Sequence, residues 1–284
     1  MEKVVSGYGL LEGPTWSPDG RLLFADADLG GVFAFDVHSG RVTTVVEHRR
    51  GIGGIALHES GGLVVTGRNV AYKSVDHPTI VLLDNDIEGG RVGFNDLTTD
   101  VAGRVFVGSL GFYPTVRGDE PRPGQLYVLD LDGSQRIAFS GVHLTNGMGF
   151  SPDGFRFYHC DSGDQTVYVY DADQTGGLSN RRPFASVATG LPDGLAVSQD
   201  GAVWVAVAHA GEVRVFESDS SLRTVMTLPL PMVTSLCFGG ADLRDLFVVT
   251  GSDGAQGRAG SVFHERVPVP GVPVAPARIP VSAN

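Results

Sequence analysis

Cysteine is almost missing from this chain. Cys160 and Cys237 are its two thiols, far apart and in no metal-type spacing, which argues against a disulfide framework and a thiolate metal site. They read instead as small buried hydrophobes of a reduced, cytoplasmic protein. Positive charge is also in short supply: 21 Lys and Arg face 32 Asp and Glu, a formal charge of −11. An acidic surface repels phosphate backbones, so nucleic acid is set aside as a partner. No stretch approaches the roughly 20 apolar residues that span a bilayer, and MEKVVSGYGLLEGP carries no long apolar run behind its lysine. A soluble, unexported protein with no membrane partner is expected. Helical periodicity over about 10–15 residues is missing as well, which argues against alternating strands and helices. Ser109, Ser162 and Ser252 follow apolar strands, yet none lies in Gly-x-Ser-x-Gly, so a serine hydrolase lacks support.

What the chain does have is glycine, 40 residues of it, and a repeated phrase: LLEGPTWSPDG at 10–20 returns as LTNGMGFSPDG at 144–154. With Glu12 as position zero, Gly20 is the eighth residue on; the same offset links Gly53 to Gly61, Asn95 to Gly103, Asn146 to Gly154 and Asp193 to Gly201. A sixth copy starts at Thr234 and has Asp242 at the turn. Each copy opens on a short apolar strand (PTWS, IALH, LTTD, MGFS, LAVS, LCFG), turns, and continues in a second strand such as RLLFAD or AVWVAV. A third follows in most copies, read as GVFAFD, TIVLLD, GQLYVLD, TVYVYD and EVRVFE. Alternating β-branched and aromatic residues suit strands buried between sheets. A period of about 40–50 residues with three or four strands is that of a propeller blade. The predicted fold is all-β, a six-bladed β-propeller occupying 1–284 as one domain, with blades starting near 10, 51, 93, 144, 191 and 232. MEKVVS is expected as the outer strand of the sixth blade, and the Pro-rich C-terminus as an edge or extended coil.

In such a ring the six zero positions face one axis: Glu12, Gly53, Asn95, Asn146, Asp193 and Thr234. Four carry carboxylate or amide oxygens. Asn and Asp before Gly are often mere turn residues, but Glu is not, and four donors in one register point to a shared ligand. Two carboxylates in a narrow channel repel each other unless a cation lies between them. An all-oxygen shell suits one divalent cation in the central channel, Ca²⁺ ahead of Mg²⁺ or Mn²⁺, with Zn²⁺ less favoured without His or Cys.

LLEGPTWSPDG, FNDLTTDVAGRVFVGSLG, LTNGMGFSPDG, LPDGLAVSQDGAVWVAV and TSLCFGGADLRDLFVVT resemble the successive blade motifs of the SMP-30/gluconolactonase/luciferin-regenerating-enzyme family. The resemblance covers nearly the whole chain. It implies Glu12, Asn146 and Asp193 as metal ligands and Asn95 as a contact to the metal or to substrate and water. It also implies an enzyme that opens lactones, small-molecule substrates, with the ion polarising the carbonyl and Asp193 activating water. Asp193 as direct nucleophile is the alternative mechanism; a metal-dependent phosphotriesterase resembling diisopropyl fluorophosphatase and a non-catalytic scaffold are the alternative functions. In one place the chain departs from the family: Gly93 stands where many sugar-lactonases carry an arginine that grips substrate hydroxyls, which implies a less polar or bulkier lactone. Candidate substrate contacts are then Arg68, after the second strand of the second blade, and Tyr113 and Arg117 in the insertion GFYPTVRGDEPRPG, beside Asn95. His143, His159 and His209 read as structural rather than catalytic.

Overall fold

The computed structural model describes residues 1–114, 116, 118–252 and 257–281. Among these every regular element is a strand, and no helix is long and apolar enough to cross a membrane. Six four-stranded antiparallel sheets form the blades of a propeller. The first comprises Leu11–Ser17, Arg21–Asp26, Val32–Asp36 and Val42–Val46, from the axis outwards. The innermost strands of the others are Ile55–Leu57, Gly93–Thr99, Thr145–Phe150, Leu191–Val197 and Val233–Gly239. The ring closes through Glu2–Tyr8, which pairs with Gly260–Arg266 as the outer strand of the sixth blade. Thr234 Oγ1 adds a bond at the seam, donating to the Leu11 carbonyl at 2.5 Å.

The second blade differs from its reading. TIVLLD falls in its outer strand, Ile80–Leu83, because the short Val70–Lys73 is the third. Only four residues long, that segment carries too little alternation to stand out as a strand.

The offset-eight glycines explain the repeat. Gly20, Gly61, Gly103, Gly154 and Gly201 all have φ between 75° and 93°, the left-handed region that glycine enters without a steric penalty. Between blades, apolar side chains from two sheets interlock. Leu11, Leu22, Phe24, Phe35, Phe247, Val249 and Val262 fill the seam of blades one and six, joined by Val5 of the closing strand. Burying each such side chain contributes about 1.5–3 kcal/mol.

The Asp-Gly turns lie at one end of the channel, which is its floor; the innermost strands begin at the other, the mouth. Past Arg266 the chain crosses the floor as extended coil. Val272 N donates to Val197 O, Ala277 N to Leu57 O and Arg278 N to Gly103 O, at 2.8, 2.7 and 2.9 Å. Above it lies a mainly apolar chamber of about 470 Å³, walled by all six innermost strands and by residues 272–276. Thr15, Ala56, Thr98, Gly149, Ala196 and Cys237, one from each blade, are the small residues that leave the space open.

Candidate functional site

The zero positions lie where the innermost strands are irregular. Pairing slips between Glu12 and Thr15, Phe94 and Leu97, Thr145 and Met148, Pro192 and Leu195, and Val233 and Ser235. A bulge re-aims the side chain it carries, so in five of the six blades the ladder register breaks at or beside the zero residue; in the second blade Gly53 precedes the strand. In five blades the residue after the zero position is Gly or Ser, where neighbouring strands nearly touch; the third blade has Asp96 there. A Cβ on Gly147 would lie 2.2 Å from Leu195 N, and one on Gly194 would lie 2.0 Å from Ser235 Oγ. Gly53 serves its neighbour in the same way: a side chain there would come within 2.3 Å of Asn95 Oδ1. The glycine of the second blade thus makes room for the asparagine of the third.

Hydrogen bonds link three blades around the axis. Asn95 Nδ2 donates to Thr145 O at 2.8 Å and to Asn146 Oδ1 at 2.5 Å. Asn146 Nδ2 donates to Ser162 Oγ at 2.7 Å, and Ser162 Oγ donates to Pro192 O, next to Asp193, at 2.6 Å. Ser162 therefore fixes the Asn146 amide with its nitrogen towards the blade. Thr145 Oγ1 bonds His159 Nε2 at 2.9 Å; burial holds that imidazole neutral, its pKa pushed down to about 3. His143 bonds Asp164 and His209 is exposed, so the histidines take no place in the ring.

Three carboxyl groups meet in the channel. Burial drives the pKa of Glu12 well above the carboxylate range, and Asp193, Asp96 and Asp28 push it further. Asp193 rises for the same reason, burial first and the Asp96 charge second, against a backbone N–H from Gly194. Burial takes Asp96 up to about 7, opposed by the Leu97 N–H. Among the described residues no Lys, Arg or His pairs with any of the three. Buried acids without a counter-charge must be protonated or neutralised by a bound cation. With the amide oxygens of Asn95 and Asn146 beside them, the donor set fits a hard divalent ion. Sequence reasoning missed Asp96; its signal is that an acid follows the zero residue where four other copies have glycine and one serine.

A second acidic cluster lies off the axis. Ligand atoms of His143, Asp161 and Asp164 come within 4.8 Å of one another. Here the charge is already balanced. Arg181 lies 3.4 Å from Asp161 and 3.6 Å from Asp164, and the His143 and Leu144 N–H groups donate to Asp161. A cation there would have to compete with that arginine.

The expected substrate contacts lie nearer the mouth. Phe112, Pro121 and Arg122 of the insertion wall a hollow of about 250 Å³ with His143, Leu144 and Gly163, beside the start of the fourth blade. Tyr113 is 43% exposed and makes no side-chain hydrogen bond to the ring. Arg117 lies outside the described residues. Arg68 is exposed, with its backbone against Gly93. Arg91 is committed elsewhere, donating to Asp84 O and Tyr127 OH at 3.0 and 2.8 Å. Burial raises the pKa of both Cys160 and Cys237, which leaves neither thiol poised as a nucleophile.

A six-bladed propeller with inward-turned amide and carboxylate donors from four blades defines a class of channel-centred sites. Residues 10–252 match the model described as the SMP-30/Gluconolactonase/LRE-like region, and the chain belongs to that family. It is 34% identical over 265 residues to the pentonolactonase XacC of Haloferax volcanii, covering 88% of this chain and 84% of that one. It is 34% identical to regucalcin of Gallus gallus over 274 residues, 90% of each chain. Among solved structures, a luciferin-regenerating enzyme superposes with a TM-score of 0.86 at 24% identity, covering 96% of this chain and 98% of that one.

Proposed function

We propose that this protein is a divalent-cation-dependent lactonase, an ester hydrolase that opens the ring of a small-molecule lactone. The observation that carries the reading is that Glu12, Asp96 and Asp193 are buried near enough to raise one another's pKa, with no protein cation paired to them among the described residues. Family membership and the pentonolactonase name of the Haloferax relative support lactone opening as the reaction. Glu12, Asn146 and Asp193 hold the ion and Asn95 contacts it or its bound water and substrate; Ca²⁺ suits the donors best, ahead of Mg²⁺, Mn²⁺ or Zn²⁺. When bound, such an ion polarises the ester carbonyl and stabilises the oxyanion formed on attack by water.

The residues of the chain do the rest. Asp193, a carboxylate at the edge of the ring, takes the proton of the attacking water. Asn95, held by the Thr145 carbonyl over the bare Gly53, keeps an oxygen available to water or substrate. Ser162 fixes the Asn146 amide, so the donor geometry is set before substrate arrives. Arg68 and Tyr113 flank the mouth as substrate contacts, with Arg117 proposed from the sequence. Two free thiols suit a reduced, cytoplasmic setting.

Proton release from a lactone panel, measured after chelator treatment and again after adding each metal, tests the reading. Asp193→Asn keeps an oxygen donor and removes the base, and should lower kcat about 100-fold or more at saturating metal. Parent-like turnover by that variant would place the base elsewhere.

A further inference from the structure

The mouth beside the second and third blades is built around Arg68. Gly67 and Phe94 pair as a bridge, with Phe94 N donating to Gly67 O at 2.7 Å. This pairing sets Arg68 opposite Gly93, and a Cβ on Gly93 would lie 3.1 Å from Gly67 O and 3.9 Å from Arg68 Cα. Gly93 lies two residues before Asn95 on the same strand, a step of about 7 Å along it, and the irregularity after Phe94 takes Asn95 out of the regular alternation. An extended arginine side chain covers such a distance.

The Gly67–Arg68 turn is clamped from behind. Arg49, partly buried, donates to Thr66 O at 3.1 Å and to Asn69 O and Oδ1 at 2.7 and 2.8 Å. It holds both flanks of the turn and pairs with no carboxylate. Nearby Asp84 accepts from Asn69 rather than from an arginine of this turn. Arg50 leans over Gly30 and faces Asp28, whose carboxyl it pulls down against the larger effects of burial and Asp26. Among the described residues, Arg68 makes no hydrogen bond or ion pair. In a chain of charge −11, Arg49 and Arg50 thus come from a segment packed against the Gly67–Arg68 turn, with Arg50 O 3.3 Å from where a Cβ on Gly67 would lie.

We propose that Arg68 is the specificity-determining residue of this site, supplying from the second blade the cation that Gly93 lacks. The substrate class is then a lactone bearing an anionic group, such as a carboxylate, away from the reacting carbonyl. A guanidinium on a fixed turn binds a carboxylate by two parallel charge-assisted bonds. Gly51, where an added Cβ would meet nothing within 4 Å, leaves room for that group. This inference rests on the lactonase reading and adds charge selection to it.

The test compares lactones in matched pairs. Glucono-1,4-lactone and glucaro-1,4-lactone, which differ by a carboxylate in place of the terminal hydroxymethyl, are the first pair. The metal-loaded wild type should have the higher kcat/KM for the carboxylate member of any pair it opens. Arg68→Gln should lower that value about ten- to 100-fold, the range of a lost charge-assisted contact, and lower the value for the neutral member by clearly less. Arg68→Lys should keep most of the preference, and an unchanged Tm would separate these effects from folding. Equal losses on both members, no loss on either, or a wild-type preference for neutral lactones would overturn the proposal and leave the lactonase reading standing. A wild type that opens no lactone with any metal would overturn both.

Discussion

Removing the cation turns the channel into a pH-dependent weak point. In the folded, metal-free chain Glu12 and Asp193 titrate well above the carboxylate range, and Asp96 near 7. In the unfolded chain all three return to ordinary values. Between those limits the folded state binds more protons, so stability falls as pH rises. Keeping the Asp96 carboxyl protonated to about pH 7 instead of its ordinary 3.8 corresponds to about 4 kcal/mol. About two of those pH units fall inside pH 5–8, which for a chain of 284 residues amounts to about 3 kcal/mol and about 5 °C in Tm. Glu12 and Asp193 add in the same direction. The assay is scanning calorimetry of chelator-treated protein from pH 5 to pH 8, with and without excess Ca²⁺. The metal-free Tm should drop across this range, and the gain from Ca²⁺ should be small at pH 5 and largest at pH 8. A metal-free Tm equal at both ends, with the same Ca²⁺ gain at each, would refute the electrostatic argument.

Gly53→Ala forces a methyl to within 2.3 Å of Asn95 Oδ1 and 3.0 Å of its backbone; overpacking of this kind costs about 1–3 kcal/mol. Urea unfolding should register that cost, with a larger proportional loss in lactone turnover as Asn95 is displaced. Removing residues 1–8 strips the outer strand from the sixth blade and Val5 from its seam, and should lower the urea midpoint more than any single substitution named above. A midpoint unchanged by that removal would mean the seam is held elsewhere.

The propeller was legible because one turn recurs. A glycine at a fixed offset, preceded by Asp in three of the five copies, has positive φ in all five, and the strands between them alternate strictly enough to be seen. Where that signal thins, so does the reading: Val70–Lys73 is too short to show a period, and TIVLLD was taken for its place in the sheet. The zero residues were legible for a related reason, since propeller symmetry turns equal sequence phase into spatial convergence. Asp96 was not, because its role depends on the close approach of neighbouring blades at the following position, which the five small residues there reveal only with the bulges in view. Ser162 was noticed only as a residue that is no nucleophile; it accepts from Asn146 within the fourth blade while donating to Pro192 O of the fifth, a pairing visible only once the strands are assembled. The expectation of a less polar or bulkier lactone from Gly93 was formed without sight of the Gly67–Phe94 bridge, which sets the backbone of Arg68 opposite Gly93.

The most direct test of the central claim is calorimetric titration of the metal-stripped protein with Ca²⁺, run in parallel on Glu12→Gln and on an Asp164→Asn variant of the off-axis cluster. One ion per chain is expected for the parent and for Asp164→Asn, with affinity at least tenfold weaker in Glu12→Gln while its fold is kept. Undiminished binding by Glu12→Gln, or binding lost in Asp164→Asn instead, would show that the ion does not lie on the propeller axis.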